Sequence, residues 1–263
     1  MKKRAEAYKS QMMNHIRLYV LTVFLFLSFT VDADFNSTLL LANQGDAAAQ
    51  TQIGESYYKG EGVSPSYTEA VKWFRLAANQ GYSKAQNNLG YMYEEGYGNK
   101  QNYEEAIKLY QLAAIQGNPR AQYHLGYLYS QGYGVSRNEL EATRLFRLAA
   151  EQGDATAQSF LGSHMLSSGK SFEAVKWFRL AAAQGDSNVQ YILGTMYEYG
   201  NNVAEDRNEA IKWFRLAADN GNLPASNHLK SLETIKYSKS KALTHASKPT
   251  PAITNSDPLN IRD

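Results

Sequence analysis

The 263-residue sequence contains no cysteine, only six prolines and one long run without charge. The absence of cysteine excludes disulfide bonds, zinc–thiolate sites and thiol nucleophiles. The scarcity of proline favours packed short helices over disordered, proline-rich segments. Residues 34–233 hold 17 basic and 21 acidic side chains, a net charge of −4, so the sequence predicts no basic face for nucleic acid.

The uncharged run covers residues 18–31 and follows a basic start. A membrane-spanning helix needs about 20 apolar residues, so this run is short for one. The run ends in Val-Asp-Ala at 31–33, which places small or modest-sized side chains at the positions that a signal peptidase recognises. We therefore expect residues 1–33 to be a cleaved signal peptide. Translation starting at Met12 or Met13 is an alternative that would give a shorter signal peptide. The mature protein is then periplasmic or secreted, with no membrane segment after signal removal; an uncleaved anchor is the alternative.

The rest of the sequence is organised around a repeated segment. EAVKWFRLAA fills residues 69–78 and 173–182, EAIKWFRLAA fills 209–218, and fainter copies lie at 104–114 and 140–150. Successive repeats start 36 residues apart, except that 32 residues separate the fourth from the fifth. A constant period of this length is typical of stacked helical repeats.

Each repeat contains two segments with the apolar spacing of an amphipathic helix. Glycines just past these segments predict helix ends, and polar residues just after the repeat-ending glycine predict helix starts. The predicted starting caps are Asp46, Asn118, Asp154, Asp186 and Asn222. We therefore predict an all-α fold, a right-handed α/α superhelical solenoid of about five to six helix-turn-helix repeats. It covers residues 34–233 and is followed by a disordered tail at 234–263.

A glycine recurs at the sixth position of each repeat, inside the first predicted helix. These glycines are Gly54, Gly90, Gly126, Gly162 and Gly194. Because glycine inside a helix costs about 1 kcal/mol relative to alanine, its recurrence indicates close approach of the partner helix. Alanine pairs such as Ala113-Ala114 are the expected counter-surface. Lys230 takes the same position in a final half repeat, which we interpret as a terminal capping helix.

The pattern AQxxLGxxYxxGxGVxxxxxEAxxWFxxAAxQG resembles the Sel-one-like repeat, a relative of the tetratricopeptide repeat with a longer helix-joining loop. In the second repeat the match is carried by Ala85, Gln86, Leu89, Gly90, Tyr93, Gly96, Gly98, Ala106, Ala113, Ala114 and Gly117. The fourth repeat departs from the pattern, because it lacks the GxG loop and is shorter, so we expect irregular stacking there. The resemblance implies an adaptor for protein complexes, and for a secreted bacterial member a role in envelope signalling or host interaction.

The residues that vary between repeats form one stripe on the first helices. In a superhelix the first helices commonly line the concave face, so this stripe is the predicted partner-binding surface. It contains Asn88, Tyr91, His124, Tyr127, Phe160, Ile192 and Tyr199.

No catalytic or metal-binding arrangement is evident in the sequence. The five histidines are never three or four residues apart, and no Ser, His and Asp pattern recurs, so we predict no metal and no cofactor. We therefore predict a non-enzymatic scaffold or adaptor that binds a protein partner. The alternative is a cell-envelope hydrolase acting on peptidoglycan or β-lactams, as suggested for some cysteine-rich secreted relatives; the lack of cysteine weakens that analogy.

Overall fold

The structure, a computed structural model, describes residues 12–13 and 35–232. Most of the predicted signal peptide and all of the predicted tail lie outside the described residues. Between residues 35 and 232 the described chain forms twelve helices and no strand. They are α1 (35–43), α2 (Ala47–Lys59), α3 (Tyr67–Asn79), α4 (Ser83–Glu95), α5 (Tyr103–Ile115), α6 (Pro119–Gln131), α7 (Glu139–Glu151), α8 (Ala155–Ser167), α9 (Ser171–Ala183), α10 (Ser187–Tyr199), α11 (Arg207–Asp219) and α12 (223–232).

The chain divides into two compact units between Lys170 and Ser171. In unit 1, the helices pack most extensively as the pairs α2–α3, α4–α5 and α6–α7, and each pair also contacts the next helix along the chain. In unit 2, α10 packs on α11 and on α9. Each unit is therefore built as an all-α solenoid, the predicted fold class. The right-handed superhelix stays a prediction.

The predicted helix starts are confirmed. The side chains of all five predicted caps accept a hydrogen bond, at 2.7–3.0 Å, from the backbone N–H three residues later. Such a cap satisfies one of the N–H groups that have no partner inside the helix. The second helices begin in the same way, for example at Asn102 and Asn138. Most first helices end on a glycine with left-handed φ, such as Gly96 at 74°.

The recurrent glycine inside the first helix does permit close approach, but the predicted counter-surface is wrong. A Cβ built on Gly90 would lie 2.8 Å from the ring of Tyr110, and one on Gly126 would lie 3.1 Å from the ring of Phe146. Gly54 and Gly194 meet Phe74 and Phe214 in the same way, so these four glycines each receive an aromatic ring of the second helix, and not an alanine pair. The ring packs directly on the backbone of the first helix, because no side chain intervenes.

A buried glutamine at the second position of each repeat joins successive repeats. Its Nε2 donates to a carbonyl at the end of the preceding second helix at 2.8–3.4 Å; the donors are Gln50, Gln86, Gln122, Gln158 and Gln190. In four of these glutamines, Oε1 also accepts from an amide that follows the next second helix, at 2.7–3.0 Å. A buried amide is stabilising only when its partners are present, so this network fixes the spacing of the repeats.

Candidate partner-binding groove

An open groove of about 650 Å³ lies on the first helices of unit 1. Residues of α2, α4 and the beginning of α6 form its walls, so three successive repeats contribute to it. Three residues of the predicted stripe line it, namely Asn88, Tyr91 and His124. We call this feature the α2–α4–α6 groove.

Tyrosine rings form one side of the groove. Tyr58 and Tyr91 line it, with their ring centroids 6.4 Å apart. Tyr97, in the loop after α4, lies edge-on to Tyr91 at 6.1 Å and stacks on Tyr67 at 4.8 Å. Burial and a hydrogen bond with Tyr58 raise the pKa of Tyr91 above its usual value. Its phenol therefore stays neutral over the physiological pH range and can donate a hydrogen bond.

A loop glycine explains why these rings meet. A Cβ on Gly98 would lie 2.4 Å from the backbone of Tyr67, so only glycine lets this loop pack against the start of α3. The contact brings Tyr97 onto Tyr67. The next repeat does the same, because its loop stacks Tyr133 on Tyr103 at 5.2 Å. The GxG motif of the sequence thus permits the loop packing that forms the tyrosine side of the groove.

A hydrogen-bonded chain of side chains crosses the floor of the groove. Lys84 Nζ lies 2.7 Å from Glu55 Oε1, and Asn88 Nδ2 donates to the same oxygen at 3.0 Å. Asn87 Nδ2 donates in turn to Asn88 Oδ1 at 3.3 Å. Asn87 is buried, and its Oδ1 has no hydrogen-bond partner in the part of the chain that the structure describes.

A second chain of polar contacts holds His124. Glu94 is buried at the end of α4, where its Oε2 accepts from the Tyr110 hydroxyl at 2.5 Å and lies 3.2 Å from His124 Nδ1. The imidazole stacks on the Tyr110 ring, with centroids 5.0 Å apart and planes 6° apart. Burial, reinforced by the Glu94 carboxylate, raises the pKa of Tyr110 well above its usual value. The phenol therefore remains a donor to Glu94, and His124 keeps one ring nitrogen directed to the carboxylate.

The same acid–imidazole pair recurs in unit 2. His228 Nε2 lies 2.8 Å from Glu198 Oε2, and Phe214 occupies the position that Tyr110 has in unit 1. Each pair joins residues 30 apart on neighbouring first helices. His124 was among the predicted site residues, whereas His228 and the two glutamates were not. The recurring Glu-to-His spacing of 30 is the signal that could have found them.

The remaining predicted stripe residues lie outside the α2–α4–α6 groove. Tyr127 and Phe160 contact each other in unit 1, with ring centroids 6.2 Å apart, and Phe160 also meets Tyr123. Ile192 and Tyr199 lie on α10 in unit 2, where Ile192 is half-buried and Tyr199 is exposed.

Ten of the thirteen lining residues were not among the predicted site residues, and they include Asn87 and Arg120. Asn87 lies on α4 beside Asn88, and Arg120 lies in the first turn of α6. Neither stands out in the sequence, because their importance depends on contacts across the repeats.

Among the described residues no group of three or more acidic or histidine side chains is placed to hold a metal ion. None of the described helices combines the length and apolar character that crossing a bilayer requires.

Comparison with known proteins agrees with the repeat pattern. The family model described as Sel1 repeat matches residues 47–82, 83–118, 119–154, 155–186 and 187–222. A comparison with curated protein sequences gave no match.

Several solved structures are similar to the chain. A Sel1 repeat protein from Oxalobacter formigenes is 35% identical, with 72% of this chain and 78% of that chain covered and a TM-score of 0.66. The protective antigen c5321, present in uropathogenic Escherichia coli strains and displaying an SLR fold, is 34% identical with a TM-score of 0.62; the match covers 77% of this chain and 44% of that one. An immunity protein of Pseudomonas aeruginosa, Pa5087, is 22% identical and shares the fold with a TM-score of 0.50. The match covers 68% of this chain and 67% of that one. The five tandem matches span more than half of the chain, which belongs to the Sel1 repeat family.

Proposed function

We propose that this protein is a non-enzymatic scaffold that binds a protein partner in the α2–α4–α6 groove. Sel1 and related repeat proteins typically mediate protein–protein interactions, and the Sel1 scaffold is generally non-catalytic. The observation that carries the proposal is the convergence of Asn88, Tyr91 and His124 in one open groove. These are variable positions on neighbouring repeats, and variable side chains on a regular framework are how repeat proteins recognise different partners.

The composition of the groove supports binding. Tyr58 and Tyr91 offer large, amphipathic surfaces, which anchor many protein interfaces. Asn88 and His124 are each held by a hydrogen-bonded carboxylate, so they are ordered before a partner arrives. Pre-ordering reduces the entropy that binding must offset.

A capture experiment tests the proposal. The full chain carries a photo-crosslinking amino acid at Tyr91, and a matched sample carries it at Leu112, an exposed residue of α5. We expect a protein that crosslinks through position 91 but not through position 112. That protein is then purified, and its affinity is measured for the wild type, Tyr91→Ala and Tyr199→Ala.

The expected result is that Tyr91→Ala weakens binding at least tenfold, about 1.4 kcal/mol or more, and Tyr199→Ala leaves it unchanged. Equal affinity of all three proteins would contradict the groove as the partner surface. Turnover of a peptidoglycan fragment or a β-lactam by the purified protein, lost on substitution of His124, would favour the hydrolase instead.

We also propose that the protein is exported, with a role in the cell envelope or at the host. The basis is the sequence of residues 1–33, a basic start followed by a short apolar run. Intact-mass measurement of the protein from the envelope fraction or the medium tests this. A mass that lacks residues 1–33 supports a cleaved signal, and one that includes residues 18–31 indicates an anchor.

A further inference from the structure

We propose that Glu94 is a positioning residue that fixes the tautomer of His124, so that the α2–α4–α6 groove offers its partner a hydrogen-bond acceptor at His124 Nε2. This inference rests on the proposed function and specifies one contact that the partner makes. The partner supplies an N–H or O–H donor at this point of the groove.

The contacts of Glu94 decide which nitrogen of His124 carries the proton. Glu94 Oε2 lies 3.2 Å from His124 Nδ1, and an ionised carboxylate can only accept a hydrogen bond. The same oxygen accepts from the Tyr110 hydroxyl at 2.5 Å, and the raised pKa of Tyr110 keeps the proton on the phenol. A hydrogen bond between Glu94 and His124 therefore requires the proton on Nδ1.

The other ring nitrogen of His124 is open. A neutral imidazole with its proton on Nδ1 has an unprotonated Nε2, which is a hydrogen-bond acceptor. Among the described residues, the unpaired side-chain nitrogen and oxygen atoms that are closed off from solvent are Asn87 Oδ1 and Trp213 Nε1, so Nε2 of His124 retains accessible surface. Because His124 lines the groove and its Nδ1 is turned to Glu94, Nε2 is the nitrogen that a bound partner can reach.

Neighbouring rings and the carboxylate together hold the imidazole in one orientation. Tyr110 stacks on it with the planes 6° apart, and the ring centroids of Tyr91 and Tyr123 lie 5.7 and 5.3 Å from its own. These rings hold the plane of the imidazole, and Glu94 sets its direction within that plane. The acceptor thus has a fixed place before the partner binds, which lowers the entropic cost of binding.

Unit 2 carries the opposite arrangement of the same pair. His228 meets Glu198 through Nε2, at 2.8 Å, so its proton is expected on Nε2 for the same reason. Phe214 contacts His228 there, which shows that the carboxylate and the imidazole pair without a phenol. The two histidines are therefore expected to be opposite tautomers in one protein, and His228 is an internal control.

The experiment begins with nitrogen-15 NMR of the full chain at about pH 8, the upper end of the range in which histidine titrates. The chemical shifts show which imidazole nitrogens carry a proton, and His124→Gln and His228→Gln assign the signals.

Two double variants then change the contact in a background that leaves no phenol unpaired. Tyr110→Phe with Glu94→Gln keeps an oxygen that can accept from Nδ1, whereas Tyr110→Phe with Glu94→Met removes it with an unbranched side chain of similar length. NMR gives the tautomer of His124 in both, and their affinities are measured for the protein captured through position 91.

We expect the proton of His124 on Nδ1 and that of His228 on Nε2 in the wild type. The glutamine variant keeps the Nδ1–H form of His124, and the methionine variant changes to the Nε2–H form. A proton on Nε2 then faces the donor of the partner, so the methionine variant binds about tenfold more weakly than the glutamine variant. A merely structural role of Glu94 would not change the tautomer.

A wild-type His124 with its proton on Nε2, or with both nitrogens protonated, overturns the proposal, and so does a methionine variant that keeps the Nδ1–H form. Equal affinities of the two double variants overturn it as well; the groove then remains the partner surface and His124 is not a contact. If position 91 captures no protein, the proposed function fails, and the tautomers alone decide whether Glu94 positions His124.

Discussion

Gly126 is a position at which a single added carbon has no room. Its missing Cβ faces the Phe146 ring at 3.1 Å and the Ala142 carbonyl oxygen at 3.2 Å. Gly126→Leu must push α7 away from α6 or distort the ring, so we expect a loss of about 2 kcal/mol or more in the free energy of unfolding. Urea denaturation of the full chain measures this loss.

Lys230 provides the matched control, because it occupies the same repeat position on α12. It is exposed, and no second helix follows α12 within the described residues. Lys230→Leu should change the free energy of unfolding by no more than about 0.5 kcal/mol. Similar losses in the two variants would show that the glycine–ring contact does not decide the packing.

Gln122 is the second residue on which repeat packing depends. Its amide is buried, donates to the Ala114 carbonyl at 3.2 Å and accepts from Gln152 at 2.7 Å. Gln122→Leu keeps the volume but removes both hydrogen bonds. The Ala114 carbonyl still accepts from the Gly117 N–H, and Gln152 still donates to Leu148, so we expect a destabilisation of about 1 kcal/mol. Gln131→Leu, at an exposed position on the same helix, should have almost no effect in thermal melts. Equal effects would mean that the glutamine network contributes nothing specific.

For single residues, the sequence predicted which position is tightly packed better than it predicted which neighbour packs against it. The repetition of glycine predicted close approach at Gly126, but not that the neighbour is the Phe146 ring. A repeated pattern shows that a position is constrained, whereas the side chain that meets it depends on how two helices cross. For the same reason His124 was predicted and its partner Glu94 was not, since the two meet only when neighbouring repeats pack.

Among the elements, the loop between α10 and α11 has an unusual backbone conformation. Asn202 has φ of 64° at the position where earlier repeats have Gly98 and Gly134. Asparagine tolerates this left-handed region, but a β-branched residue does not. Asn202→Val should therefore destabilise unit 2 by about 1–2 kcal/mol, and Asn202→Gly should be neutral or slightly stabilising. The neighbouring substitution Asn201→Val is the control in chemical denaturation, and equal losses for the two valine variants would contradict the account.

The loop of the fourth repeat is the other exceptional element. A Cβ on Gly169 would meet nothing within 4 Å, whereas one on Gly98 would meet the backbone of Tyr67 at 2.4 Å. The short loop thus lacks the close glycine contact that Gly98 makes, and the boundary between the two units falls directly after it. We expect faster hydrogen exchange in residues 163–172 than in residues 91–101. Equal protection would mean that the shortened loop is simply a tighter turn.

The helices themselves were largely predictable from the sequence. Caps such as Asn118 and terminal glycines such as Gly96 act within a few residues, so local pattern determines them. The four-residue deletion in the fourth repeat predicted an irregularity, and the chain divides into two units at that loop. Which loops pack against a neighbouring helix could not be predicted, because that depends on contacts between repeats.

For the whole molecule, the proposed function depends on side chains from three successive repeats that share the α2–α4–α6 groove. The predicted partner-binding residues share one stripe of repeat positions, and the structure brings three of them, Asn88, Tyr91 and His124, together in the groove. Asn87 and Arg120 were missed, because their place in the groove results from how neighbouring repeats pack. The partner surface can thus be located roughly from repeat positions. The hydrogen bonds and ion pairs of its side chains can be assigned only from the structure.

Hydroxyl-radical footprinting of the full chain, free and in complex with the captured partner, tests most directly that this groove is the partner surface. Oxidation of Tyr58 and Tyr91 should fall severalfold in the complex, because the partner covers both rings. Oxidation of Leu112 and Ile115, exposed on α5, should stay unchanged. Protection of Leu112 and Ile115 with unaltered oxidation of the two tyrosines would contradict the account.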